Sequence, residues 1–172
     1  LNGFSLVVGL AIIKVLEEEC LVEGFKIKWP NDIYFKSKKI AGILLENQIQ
    51  LDNQFVVIGV GVNYNLNQNF NCEIPWTDLA KSAKKMPDIH SLTAKLIESI
   101  LSTSEHFKMN GLSSFLDQWD KYDMLKESKV RLIESGKPVE GKVTGISQQG
   151  ALQVLTQNGV KELYSSKYIE FI

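Results

Sequence analysis

The stretch FKIKWPNDIYFKSKKIAGILLENQIQLDNQFVVIGVGVN, residues 25–63, decides the fold. Runs rich in β-branched and aromatic residues, Phe25 to Trp29, Asp32 to Phe35, Ile40 to Ile49 and Phe55 to Val62, alternate with breaks at Pro30-Asn31 and at the lysine-rich turn Lys36 to Lys39. Proline removes a backbone donor and asparagine bonds its own backbone, so each break stops a strand. Connections this short join sequential neighbours, and three of the runs are expected to pair as a meander.

Upstream, Leu6, Val7, Leu10, Ile13 and Leu16 recur at spacings of three and four, which predicts a helix from Ser5 to about Glu18 with Ser5 as its cap. Val8, Ala11 and Ile12 are apolar too, so that helix should be largely buried. Downstream, Asn63 to Pro75 is polar and reads as a loop. Ser91 to about His106 reads as a helix capped by Ser91, and Gly111 to Tyr122 as another. After Lys126 the period becomes two. Lys129–Ile133, Pro138–Ile146, Ala151–Leu155 and Val160–Tyr164 read as short strands separated by Ser135-Gly136, Gln149-Gly150 and Asn158-Gly159. The expected architecture is α+β: an α/β body with a mixed or antiparallel sheet and helices over residues 1–125, then a small all-β, SH3-like barrel over 126–172.

Composition narrows the function classes. The 172 residues are 44% hydrophobic, 23% charged and 9% aromatic, a globular profile that excludes disorder and collagen-like or disulfide-rich scaffolds. Nineteen Lys and Arg against twenty Asp and Glu leave a formal charge of -1, so there is no overall basic footprint for nucleic acid. The longest apolar run, Leu6 to Ile13, is far short of a bilayer span. Cys20 and Cys72 lack a C-x-x-C partner and His90 and His106 lack a ligand set, so no structural metal is expected. With no signal-peptide pattern and no initial methionine, the chain reads as the inside of a longer protein.

Two clusters could carry chemistry. Lys28-Trp29-Pro30-Asn31-Asp32 is followed by Lys36, Lys38, Lys39 and Ile40-Ala41-Gly42. Read plainly, this is a turn and a solvated hairpin tip. Read for function, lysines at strand ends, an acid beside them and a glycine open to close approach can hold an anion. Joining a carboxylate to a nucleotide phosphate brings two anions together, and lysine ammonium groups offset that repulsion as charge develops. Asp32 could then hold magnesium, which takes hard oxygen ligands. The second cluster is Gly59-Val60-Gly61-Val62-Asn63, where paired glycines mark the approach of a flat ligand and Asn63 could read a purine edge or simply end a strand. Neither a dinucleotide fingerprint nor a phosphate-binding P-loop is present.

Lys28-Trp29-Pro30-Asn31-Asp32, Lys39-Ile40-Ala41-Gly42-Ile43-Leu44-Leu45-Glu46 and Ile58-Gly59-Val60-Gly61-Val62-Asn63 resemble, in order and spacing, successive motifs of biotin protein ligases. The segment from about Lys126 to Ile172 resembles the small SH3-like domain that follows the catalytic domain in bacterial members. The resemblance implies a class II synthetase-like fold and a two-step reaction. Biotin and ATP give biotinyl-5′-AMP, and the acyl group passes to a lysine of the biotin carboxyl carrier protein of acetyl-CoA carboxylase. It further implies Lys39 and Lys28 as catalytic residues, with Lys39 on the biotin carboxylate and adenylate linkage. Gly42, Leu44, Gly59 and Gly61 would contact substrate beside Lys39. Lys28, Asn31, Asp32, Val62, Asn63 and Arg131 would bind ATP, with Asp32 on Mg2+.

The glycine- and arginine-rich loop of such ligases, G-R-G-R-x-G-R, has no counterpart here, nor does a helix-turn-helix. The expectation is therefore a C-terminal portion of a cytoplasmic ligase, feebly active alone, with no nucleic acid or membrane partner in this chain. A homodimer through an exposed sheet edge is open. Two other readings remain: a lipoate ligase-like acyl-adenylate enzyme, and a non-catalytic part of a biotin-responsive repressor. The W-P-N-D and G-V-G-V-N pair favours biotin.

Overall fold

The computed structural model describes residues 3–50, 53–66, 73–134, 136–165 and 169–172. Cys72 and Ser135, both named above, lie outside the described residues. Helix α1 (Phe4–Cys20) leads into four strands, β1 (Phe25–Lys28), β2 (Asp32–Phe35), β3 (Lys38–Gln50) and β4 (Asn53–Val62), which pair in chain order as an antiparallel meander. The sheet is wholly antiparallel and not mixed, because every connection is short and reverses direction. The lysine-rich turn proves tighter than expected. Only Lys36 and Ser37 form it, both at positive φ (46° and 64°), and that two-residue geometry matches the twist of the flanking strands and returns Lys38 and Lys39 to β3.

Alternation then sorts the sheet into two faces. Phe25, Ile27, Ile33, Ala41 and Ile43 point to the core and are buried. Helix α1 is apolar almost all round because it fills the space between this face and α3 (Ile89–Asn110); Phe4 stacks on Phe107 with ring centroids 5.0 Å apart. Ser5 does not cap α1: Gly3 occupies the cap position, while the Ser5 hydroxyl donates to the Pro30 carbonyl at 3.0 Å. Helix α3 likewise starts one residue pair before Ser91, because Asp88 is the cap and its carboxylate accepts from the Ser91 N–H at 2.9 Å. In the chain, α2 (Leu79–Ser82) comes between β4 and α3 and is too short to leave a periodic signature. Residues 112–115 form a 3-10 turn before α4 (Leu116–Tyr122).

The C-terminal β segment corrects an expectation. Strands β5 (Lys129–Glu134), β6 (Lys137–Ile146), β7 (Leu152–Thr156), β8 (Gly159–Leu163) and β9 (Ile169–Phe171) form one antiparallel sheet in the order β8-β7-β6-β5-β9. It is an open sheet and not an SH3-like barrel. Among the described residues β8 pairs with β7 and β9 with β5, so the two edges lie at opposite ends and never meet. Closure needs strand stagger and curvature that bring the edges into register, and tight turns between short strands occur equally in open meanders. Among the described residues no helix is long and apolar enough to cross a membrane.

Candidate active site

One ladder row crosses all four strands of the first sheet. Lys28 on β1 opposes Asp32 on β2, Asp32 opposes Gly42 on β3, and Gly42 opposes Gly61 on β4. Directly opposed residues of antiparallel strands share a face, so the three motifs meet on the side of the sheet away from α1. Leu44 and Gly59 oppose each other one step along the same face, and Leu44 is exposed. The result is a floor of glycine backbone beside one apolar side chain. A Cβ on Gly61 would have nothing within 4 Å.

A bulge completes this face. The register slips between Ile33 and Tyr34, so that Ile33 opposes Ala41 but Tyr34 opposes Lys39, leaving Ile40 as the extra residue. Without the slip Lys39 would oppose Phe35, on the core side. With it, the Lys39 ammonium reaches Asp32 Oδ1 at 2.7 Å, while Ile40 is fully buried. The pair stands directly over Gly42, whose missing Cβ would come 3.4 Å from Asp32 Oδ1 and 3.5 Å from Lys39 Nζ. Both side chains remain partly exposed, so the pair adds little to stability and is accessible to a ligand.

The backbone of Lys39 is held from the other side. Its N–H donates to the Pro75 carbonyl at 2.8 Å, and its carbonyl accepts from the Thr77 N–H at 2.9 Å. Asn63 secures this join: its Nδ2 donates to the carbonyls of Thr77 (2.9 Å) and Lys39 (3.4 Å), its N–H to Ile40, and its carbonyl accepts from Leu79. Among the described residues the amide oxygen of Asn63, an acceptor, is left for a ligand. Asn31 is similarly engaged, donating from Nδ2 to the Ile43 carbonyl at 2.6 Å and accepting from the Ile43 N–H at 2.9 Å. Trp29 is buried, and its indole N–H donates to the Gly150 carbonyl in the β6–β7 turn at 3.0 Å.

Lys28 is half-buried. Burial holds its ammonium below the ordinary lysine range; Asp32 opposes that shift and the Lys39 charge adds to it. Burial also pushes the Tyr34 phenol up, with the Asp32 charge acting in the same direction.

The structure thus brings together Lys28, Asp32, Lys39, Gly42, Leu44, Gly59 and Gly61. Val62 sits in the same strand but points to the α3 side, where it lines an apolar cavity of about 570 Å³. Arg131 is apart from the others: it pairs with Glu140 (2.6 Å) and Glu170 (3.8 Å) across β5, on the face opposite Val130, whereas Lys28 meets the Val130 face through Phe171. Sequence reasoning missed two pieces of the surroundings. Trp76 bridges to Lys39 between the Pro75 and Thr77 contacts, with the Lys81 ammonium 4.4 Å over its ring. Its one signal was an aromatic residue directly after a polar loop. The other piece is β9, three residues with no readable pattern. Among the described residues no group of three or more His, Cys, Asp or Glu could hold a metal unaided. Asp32 fits magnesium only in the manner usual for that ion, as one carboxylate alongside phosphate oxygens and water.

Residues 1–63 match the model of the Biotin/lipoate A/B protein ligase family, and residues 127–166 that of the Biotin protein ligase C terminal domain. The chain is 34% identical over 161 residues to the bifunctional ligase/repressor BirA of Escherichia coli, covering 92% of this chain and 49% of that protein. It is 30% identical over 168 residues to BirA of Bacillus subtilis, covering 94% and 51%. It spans about half the length of the curated relatives it matches. The crystal structure of the biotin protein ligase from Aquifex aeolicus superposes with a TM-score of 0.85 at 27% identity, covering all of this chain (100%) and 75% of that one. The same enzyme in complex with biotin and ATP gives a TM-score of 0.85 at 28% identity, covering 100% and 72%.

Proposed function

This chain belongs to the biotin protein ligase family, and from that premise we propose that it serves the ATP-dependent activation of biotin to biotinyl-5′-AMP and transfer of the biotinyl group to a lysine of a biotin carboxyl carrier protein. The observation that carries the reading is the row Lys28–Asp32–Gly42–Gly61 with Lys39 turned onto it by the bulge. The match to a biotin-specific C-terminal model favours biotin over lipoate.

In the first step a biotin carboxylate oxygen attacks the α-phosphorus of ATP and pyrophosphate leaves. Lys39 lies between the two anions, and its ammonium stabilises the charge that gathers on the phosphorus oxygens. Lys28 offsets the charge of the departing pyrophosphate. Asp32 orients Lys39 through the 2.7 Å contact and is the carboxylate available to magnesium, which when bound neutralises phosphate charge. Leu44 and the glycine floor take the apolar, flat part of the adenylate, where a side chain would stand in the way. The Asn63 amide oxygen suits the exocyclic amine of adenine. In the second step a neutral lysine amine of the carrier attacks the acyl carbon and AMP leaves, with Lys39 again meeting the charge on the leaving phosphate. We assign residues 1–125 to the catalytic part and 126–172 to the C-terminal part, place the protein in the cytoplasm, and take the carrier to be that of acetyl-CoA carboxylase.

The test is calorimetry of the 172-residue chain with biotinyl-5′-AMP, compared with Lys39→Ala. Loss of a charge-assisted contact is worth roughly 1.5–3 kcal/mol, so the variant is expected to bind about 10- to 150-fold more weakly while unfolding at the same temperature. Equal affinity would remove Lys39 from the site. A cooperative unfolding transition without any binding heat would overturn the assignment of adenylate binding to this chain.

A further inference from the structure

Lys28 belongs to the first sheet, but its ammonium is held by the second. Nζ donates to the Ile169 carbonyl of β9 at 3.0 Å and lies 5.7 Å from the centroid of the Phe171 ring. The Tyr34 ring of β2 stands 5.8 Å from the same ammonium. A cation within about 6 Å of two aromatic ring centroids and bonded to a carbonyl oxygen is attracted by all three. Ile169 and Phe171 are two residues apart on one strand face, so a strand of three residues supplies both contacts, and their register against Leu132 and Val130 fixes it.

We propose that β9 belongs to the nucleotide site, with the Phe171 ring and the Ile169 carbonyl acting as positioning groups that hold the Lys28 ammonium ready for a polyphosphate. The inference rests on the nucleotide reading above and adds the second sheet to it. An ammonium has three protons. One is directed at Ile169, which leaves two for phosphate oxygens while the side chain stays anchored. A lysine ordered by folding does not lose its rotamer freedom again on binding, which is how a neighbouring strand strengthens a site without touching the ligand. Phe171 is itself half-exposed, so it is not a core residue whose replacement unfolds the sheet.

The experiment uses the full 172-residue chain, with inorganic tripolyphosphate as the probe in calorimetry. Phe171→Leu keeps apolar bulk and removes the ring; Phe171→Tyr keeps the ring. Phe171→Leu is expected to weaken binding about 3- to 10-fold, and Phe171→Tyr to stay within about twofold. In a Lys28→Ala background Phe171→Leu should have no further effect, since it acts only through that lysine. Nitrogen-15 spectra of the Lys28 ammonium give a ligand-free readout: slow proton exchange in the unaltered chain and Phe171→Tyr, fast exchange in Phe171→Leu. An unchanged ammonium signal in Phe171→Leu, or an equal loss of binding with and without Lys28, overturns the proposal. If the unaltered chain ignores tripolyphosphate although its ammonium signal is protected, the nucleotide reading fails and the positioning role with it. Binding that is indifferent to Phe171→Leu sinks the positioning role alone.

Discussion

Gly61→Val separates a glycine kept for a ligand from one kept for packing. Gly61 lies on the edge strand β4, opposite Gly42, in the row that ends at Asp32 and Lys28. A Cβ there meets no atom within 4 Å, and its φ is not in the left-handed region. The chain itself therefore has no reason to refuse a side chain. Glycine in a strand interior is unfavourable by roughly 0.5–1 kcal/mol, and valine is among the best strand formers. Gly61→Val should leave stability unchanged or raise it by up to about 1 kcal/mol, which is about 2–4 °C in Tm for a chain of this size. The isopropyl group would nevertheless stand where a flat ligand lies. Forcing bulk into a fitted contact costs about 1–3 kcal/mol, so biotinyl-5′-AMP should bind about 5- to 150-fold more weakly. Gly9 in α1 is the opposite case: a Cβ there would be 2.9 Å from Ile27 Cδ1, so that glycine answers to packing against the sheet. Thermal unfolding and calorimetry on the same preparation decide the matter. A drop in Tm would mean that Gly61 is needed by the fold, and unchanged affinity would mean that no ligand lies on this floor.

Two further outcomes follow from contacts that join the sheets. Trp29→Phe removes the donor to the buried Gly150 carbonyl, in a turn packed so closely that a Cβ on Gly150 would lie 2.6 Å from Gly3 Cα; an unsatisfied buried acceptor costs about 1–3 kcal/mol, and an unchanged urea midpoint would show that the join contributes nothing. Asp123, buried beside the end of β1, has its carboxyl raised above 3.8 chiefly by burial, with Asp120 adding to the shift and N–H groups at Leu125 and Lys126 opposing it; the indole of Trp119 also favours the charged form without hydrogen-bonding to Oδ2. A carboxyl raised in the folded state holds its proton there at pH values where the unfolded chain has released it, so its contribution to stability is full below 3.8 and is lost as pH rises through the folded value. Asp123→Asn should therefore flatten the stability profile above pH 4, and equal slopes for variant and unaltered chain, by denaturant titration at several pH values, would refute this.

Much of the first sheet was legible because strand-forming runs and turn residues alternate plainly between Phe25 and Val62, and short connections leave a meander as the natural pairing. The site was legible as three motifs but not as one row, since residues 28, 32, 42 and 61 meet only once register is known. The bulge at Ile40 was invisible: one inserted residue changes no composition, yet it decides whether Lys39 faces Asp32 or the core. Both cap assignments failed for a related reason, because Asp88 and Gly3 stand just upstream of the serines that the apolar periodicity pointed to. The open second sheet was misread because closure depends on which edges meet, which turn signals do not encode. The K-W-P-N-D motif divides along the chain in the same way. Its ends, Lys28 and Asp32, project onto the sheet face that carries Gly42 and Gly61, while Trp29, Pro30 and Asn31 turn back to Gly150, Ser5 and Ile43. The middle three residues lock the turn to α1, to β3 and to the second sheet, and that locking is what keeps the two charged ends opposite each other. A motif of five residues thus encodes two charged groups and the frame that sets their separation, so replacing Trp29 or Pro30 should disturb Lys28 and Asp32 together.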